Sequence, residues 1–430
     1  MRPSLRRIGA TVAAAAASIS LLASCSADTA APALGAAGEK VTLVYAFDGL
    51  FTKPFGEIAG SVKKRTGLTV DLQLAGNSYE DSLARLQNDR TAGTPPDITM
   101  IGLNQVRMLA EAGAAVPLGQ FIDGDSEFDL RQYSDKMLDL TTVENKLYGM
   151  PNAVSTLVMY YNADLFTAAG LDPDKPPQTW DEVETAARAI VDSRAAAYGH
   201  WSDFESVWSF ENFLRSNGGS MMNDAETAVT FNEDPGVKVL EFWRGMVKAG
   251  LMPAYGTDDG REAFFRGDVA MAIDSSAQVA NYERTSGFDL RTAKLPIPTG
   301  GARQAPGGGN ALVITATDPE RQRLAWKALK AFVGPEGSTA TTKATGYLPV
   351  NQYAAGSDQH LAKFLKSTPT RTAVLEQGGA DLVRWFSWPG ERGPEIAKGL
   401  QNAIYQAVTG KQSSQDALND AAHAAQGLLS

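Results

Sequence analysis

Catalysis usually starts at a nucleophile or a base, and this chain of 430 residues holds few of either. It has one cysteine, Cys25, and three histidines, His200, His360 and His423, far apart along the chain. There is no G-x-S-x-G elbow, no H-E-x-x-H, no Walker loop and no Cys/His spacing suited to zinc. Two aspartate-rich stretches, "DGDSEFD" (123–129) and "DPDKPP" (172–177), lack the sixth-position glycine and late glutamate of an EF-hand, so they read as solvated turns. "PGGGN" (306–310) is glycine-rich but does not open a helix as a dinucleotide cradle must. No carboxylate pair stands out for glycoside hydrolysis. The expectation is a protein without catalytic residues, cofactor or metal.

Aromatic rings in polar, turn-rich settings are what the chain does offer. A sugar presents an apolar C–H face that packs on a ring, while its hydroxyls need directional donors and acceptors. Trp201 and Trp208 lie in "GHWSDFESVWSFENF" (199–213), Trp385 and Trp388 in "VRWFSWPGERG" (383–393), and Tyr347 in "TGYLPV" (345–350). Trp388 precedes Pro389-Gly390, a context that disfavours burial on a helix face, and reads as a pocket wall. Trp208 reads either as pocket or, with Phe210, as core. Asp48 directly follows the first strand, where ligands bind in α/β sheets, although Asp48-Gly49 would equally make a turn. Asn310 carries the same two readings.

The elements that must position these residues are visible as periodicity. Val41, Leu43, Tyr45 and Phe47 alternate as a strand would, a helix is expected around 57–65, and "TVDLQL" (69–74) alternates again. Further helices are expected over 79–91, over 179–193 with capping-box spacing between Thr179 and Glu182, from Asp318-Pro319 to Gly334, over 396–408 and from Ser414. Alternating elements of this kind predict an α/β protein with a mostly parallel sheet.

The first residues are a different matter. Arg2, Arg6 and Arg7 precede an apolar, alanine-rich run from Ile8 to Ala23, which reads as a secretory signal over residues 1–24. Leu22-Ala23-Ser24-Cys25 resembles the bacterial lipobox, in which the cysteine is lipidated and becomes the new N-terminus. Residues 25–39 then form a small, Ala-rich tether able to span on the order of 20 Å. A formal net charge of −10, with no clustered Lys/Arg, argues against a nucleic-acid partner. About 400 remaining residues exceed what one hydrophobic core serves, so two lobes are expected.

"AGTPPDITMIG", "LYGMPNAVSTLVMYYNADLFTAAGLDPDKPPQTWDEV", "AFFRGDVAMAIDSS", "KLPIPTGG", "TGYLPV" and "TGKQSSQDALNDA" occur in an order that resembles the solute-binding proteins of bacterial carbohydrate ABC importers, the group containing maltose-binding protein. The resemblance implies a two-lobe periplasmic-binding-protein-like fold with three interlobe crossovers, near 151–156, 306–311 and 346–349. The lobes would then comprise residues 40–152 with 308–346, and 153–307 with 347–430. It also implies a monomer on the extracellular face of the cell membrane, lipid-anchored, which captures an oligosaccharide or sugar derivative and delivers it to the transmembrane subunits of an ABC permease. Several places look closest to receptors for glycerol-3-phosphate and glycerophosphodiesters. Their pattern maps onto Tyr79, Ser155, Ser276 or Ser275, Gly307–Gly309 with Gly308 at the centre, Tyr347, and Arg384 or Arg392. The acidic residue of that pattern falls at Gly102 or Leu103, and the following aromatic pair is missing. A sugar is therefore the first expectation, a glycerophosphodiester such as glycerophosphocholine the second, and a secreted carbohydrate hydrolase the third.

Overall fold

The computed structural model describes residues 39–429. The expected signal, Cys25 and the tether up to residue 38 lie outside the described residues, and the Glu39 carbonyl already accepts from the Thr69 amide at 2.9 Å. The chain opens with β1 (Lys40–Ala46), α1 (Asp48–Thr66), β2 (Thr69–Gly76), α2 (Tyr79–Thr91), β3 (Ile98–Gly102) and the short α3 (Val106–Glu111). After a loop-rich stretch come β4 (Gly149–Ser155), β5 (Leu157–Asn162), α4 (Trp180–Asp192), β6 (Tyr198–Ser202), α5 (Val207–Ser216), β7 (Val269–Ser275) and β8 (Leu290–Lys294). The chain then returns through β9 (Gly308–Ile314), α6 (Pro319–Val333) and α7 (Pro335–Ala344), and finishes with α8 (Gly393–Val408) and α9 (Ser414–Leu429).

Two sheets divide the molecule into two lobes. The first has strand order β2-β1-β3-β9-β4 and the second β8-β5-β7-β6. β1 is parallel to β2 and β3, but β9 is antiparallel to both of its neighbours. Four of the five strands of the first sheet thus run the same way, as expected of a mostly parallel sheet, and β9, which re-enters the first lobe from the second, is the one that runs opposite. β4 and β5 are separated by Thr156 alone, so one nearly continuous extended segment leaves the first sheet and enters the second.

Local chemistry accounts for most boundaries. Ser78 and Asp81 form a reciprocal capping box at α2, as do Thr179 and Glu182 at α4, and Asp318 caps α6 ahead of Pro319. The start of α1 differs from expectation: it begins at Asp48 rather than near Glu57. Phe47 adopts a left-handed conformation, φ 64°, and starts the helix early, with Phe51 and Phe55 buried on either side of Pro54. Each large ring so buried contributes about 1.5–3 kcal/mol.

One apolar cluster fills the first lobe and continues under one face of the second sheet through Tyr160, Phe264 and Tyr282. A second cluster packs the opposite face of that sheet against α4, α5, α8 and α9. The shared cluster keeps the two lobes in register about the strands that join them.

Candidate ligand-binding cleft

The carboxyl ends of β3 and β4 and the amino end of β9 converge beside the interlobe connection. Asn310 lies opposite Gly102 on β3 and Ala153 on β4, and its side chain is fully buried. Its Oδ1 accepts from Asn152 Nδ2 at 2.9 Å, and its Nδ2 donates to the Tyr79 hydroxyl at 3.3 Å. Tyr79 stands 3.4 Å from the Tyr347 hydroxyl. Phe47 meets the Tyr79 ring edge-on, and Phe51 stacks on Tyr347. Burial pushes both phenols above their usual range, so both remain protonated donors at neutral pH.

Gly308 pairs with Ser155, and the indole of Trp208, carried on α5 of the second lobe, lies across it. A Cβ at Gly308 would stand 2.6 Å from that ring and 3.1 Å from Ser155 Oγ, so only glycine admits this approach. Trp208 Nε1 donates to the Pro306 carbonyl at 2.9 Å, which fixes the ring and leaves its faces for packing. At the connection itself, the Thr156 amide donates to Ser276 Oγ at 3.2 Å, and the Ser276 amide donates to the Thr156 carbonyl at 2.8 Å. Ser276 is completely buried and fastens the crossover.

Between the lobes lies a cavity of about 310 Å³. Trp385, 6.2 Å from Trp208 ring to ring, forms part of its wall with Phe386 and Leu103. Three guanidinium groups, Arg107, Arg215 and Arg384, line it together with three carboxylates, Glu111, Glu144 and Glu226. Arg384 donates to Asp139 at 2.5 Å. Arg215 lies 3.6 Å from Glu211, and its Nε is buried without a hydrogen-bond partner. Burial pushes the Glu211 carboxyl up to about 7, although Arg215 and the Phe386 amide at 3.0 Å both favour its charged form.

Tyr79, Ser155, Trp208, Gly308, Asn310 and Tyr347 are thus brought together, with Ser276 at the crossover and Arg384 on the cavity wall. Three expected residues are not. Trp388 is only 7% exposed and packs in the second core, edge-on to Phe231 and Phe386, so its reading as a pocket wall is corrected. Arg392 is exposed near the start of α8 and pairs with Glu395, and Asp48 is exposed on the first turn of α1, where Thr52 Oγ1 donates to it. Of the aspartates in 123–129 and 172–177, Asp125 is engaged by Lys330, Asp129 by Arg131, Asp172 by Lys175 and Asp174 by Arg291. Sequence reasoning missed Arg107, Arg215 and Glu226. Arg215 had a signal, its spacing of seven from Trp208 on one helix face; the other two come from different lobes and had none.

The family model described as bacterial extracellular solute-binding protein matches residues 57–372. The sn-glycerol-3-phosphate-binding periplasmic protein of Escherichia coli strain K12 is 27% identical over 377 residues, covering 82% of this chain and 84% of that protein. Among solved structures, the cyclic α-maltosyl-1,6-maltose binding protein of Arthrobacter globiformis matches with TM-score 0.76 and 26% identity, covering 91% of this chain and 98% of that one. The glycerophosphocholine complex of UgpB from Mycobacterium tuberculosis matches with TM-score 0.81 and 21% identity over the same shares. With a two-lobe fold, a cavity between the lobes and a family match spanning most of the chain, this protein belongs to the bacterial extracellular solute-binding proteins.

Proposed function

We propose that the chain is the capture receptor of an ABC importer, that it binds a carbohydrate between its lobes without turning it over, and that it passes the ligand to the permease's transmembrane subunits. The observation that carries the sugar assignment is the balance of the cavity wall, three guanidinium groups against three carboxylates with the Trp385 indole among them and Trp208 packed behind it. Balanced charge suits a neutral ligand with many hydroxyls, because each hydroxyl finds a charged donor or acceptor and no net charge is left buried. The Trp385 indole supplies an apolar face that packs on sugar C–H groups. In this reading Trp385 is the aromatic face of the cavity wall and Arg384, rather than Arg392, the late arginine, while Tyr79, Ser155, Trp208, Asn310 and Tyr347 form the polar and aromatic cluster behind that wall.

The lobes hinge at 151–156, 306–311 and 346–349, a reading supported by the Thr156–Ser276 bonds and by the Leu348 amide, which donates to the Val154 carbonyl at 2.7 Å. The receptor works as a monomer held by lipid at Cys25 on the outer face of the membrane.

A glycerophosphodiester is the second reading. Arg215 favours it, since its guanidinium lines the cavity with Nε as far as 3.6 Å from Glu211, and a guanidinium fork suits phosphate oxygens. Where the related receptors' pattern has an acid, this chain has Gly102 and Leu103, and the buried, unpartnered Oδ1 of Asn104 stands beside them. Melting curves against mono- and disaccharides, glycerol-3-phosphate and glycerophosphocholine separate the two. A ligand at about 100 times its Kd adds roughly 2.7 kcal/mol of stability. A shift with sugars alone supports the first reading, and a shift with the phosphodiester alone replaces it with the second.

A further inference from the structure

Arg107, on α3 of the first lobe, donates through Nε to Glu111 on its own helix and through Nη1 to Glu226 of the second lobe, both at 2.6 Å. Both ends of the cross-lobe bond line the cavity, and the side chains remain 27% and 36% exposed. Glu226 sits at φ 53°, a left-handed conformation that a non-glycine residue holds only when its surroundings impose it.

The imposing structure is a tight loop. Asn223 Oδ1 accepts from the Thr227 and Ala228 amides at 2.9 and 3.1 Å, and the Glu226 amide donates to the Asn223 carbonyl. Gln426, on α9, accepts from the Val229 amide and donates to the Thr227 carbonyl, which ties the loop to the body of the second lobe. A rigid loop thus holds one carboxylate toward the first lobe at a point where no chain connection joins the two. Close by, Ser387 Oγ donates to the Asn104 carbonyl at 2.5 Å, a second bond from lobe to lobe.

We propose that Arg107 and Glu226 form a latch across the cleft mouth, an ion pair between the lobes that biases the receptor toward closure between ligands and weakens as salt rises. The pair can exist only when the lobes approach, so its whole interaction energy favours the closed form over the open one. Because it is partly exposed, screening reduces it. The charged groups facing it are Glu111 on α3, Glu144 on the same wall, Arg215 on α5, held by Glu211, and Arg384, held by Asp139 of the first lobe. Glu111 takes Nε of Arg107 and Glu226 takes Nη1, so losing Glu111 leaves the latch bond in place whereas losing Glu226 abolishes it.

The test needs no ligand, so failure of the latch and failure of the sugar assignment are read separately. In the full chain carrying Cys25→Ser, exposed Ala112 and Ala225 are changed to cysteine and spin-labelled, and the interlobe distance distribution is measured at low salt and at high salt. Glu226→Gln should raise the open-to-closed ratio roughly two- to five-fold at low salt, the size expected of a partly exposed pair. High salt should do the same to the parent, and Glu111→Gln should leave the distribution closed. Equal distributions for the parent and Glu226→Gln, no response to salt, or opening by Glu111→Gln as large as by Glu226→Gln would each overturn the latch. Circular dichroism of each variant confirms that only lobe separation has changed.

Discussion

At the scale of single residues, environment decides between core and cleft where sequence context does not. Trp388→Ala should lower stability by about 3–5 kcal/mol, as expected for removing a buried indole from a packed core, and a shift in the urea midpoint measures it. A loss below about 1 kcal/mol would return Trp388 to the cleft. Trp388 was misread because Phe231, which covers it, lies far away in sequence and nothing in Trp-Pro-Gly announces that contact. Glu211 gives a second prediction. Its carboxyl is pushed by burial from 4.5 up to about 7, and that of Asp203 from 3.8 up to about 6. Between these values the native protein keeps protons that the unfolded chain has released, so stability falls as pH rises and is recovered on acidification toward pH 5. The Glu211 contribution is on the order of 1–3 kcal/mol. Glu211→Gln should flatten the difference between urea midpoints at pH 5 and pH 7.5, leaving the part due to Asp203; an unchanged difference would remove Glu211 as its source.

At the scale of elements, helix starts with side-chain caps were legible where Thr179 and Asp318 carry their signals in their own sequence. The start of α1 was not, since it depends on the left-handed Phe47, a conformation that residue type does not announce. The direction of β9 was hidden as well, because antiparallel entry follows from a return between lobes and not from any local pattern. This strand carries the most exacting backbone of the cleft. Gly309 has φ 113°, and a Cβ there would stand 2.0 Å from the Ala153 carbonyl oxygen. Gly309→Ala should therefore cost at least about 1–3 kcal/mol of stability by straining the strand that joins the lobes. Gly308→Ala should displace the Trp208 ring and weaken capture with a smaller loss of stability. Thermal melting with and without ligand separates the two effects, and equal behaviour of the two variants would contradict this division of roles.

At the scale of the whole molecule, the two-lobe fold was anticipated, whereas of the charged groups on the cavity wall only Arg384 was. Tyr79, Ser155, Asn310 and Tyr347 stand at the ends of strands and helices whose order could be read, but Arg107 and Glu226 meet across the two lobes from positions 119 apart in sequence. The proposed function requires capture between those lobes. The most direct measurement is calorimetric titration of wild type and Trp208→Ala with the sugar that gives the largest melting shift. The expected result is one ligand per chain, a negative heat-capacity change from apolar burial, no product after prolonged incubation, and affinity roughly 10- to 100-fold weaker in the variant. Equal affinity in the two proteins, or heat that continues as the sugar is consumed, would contradict capture in this cleft.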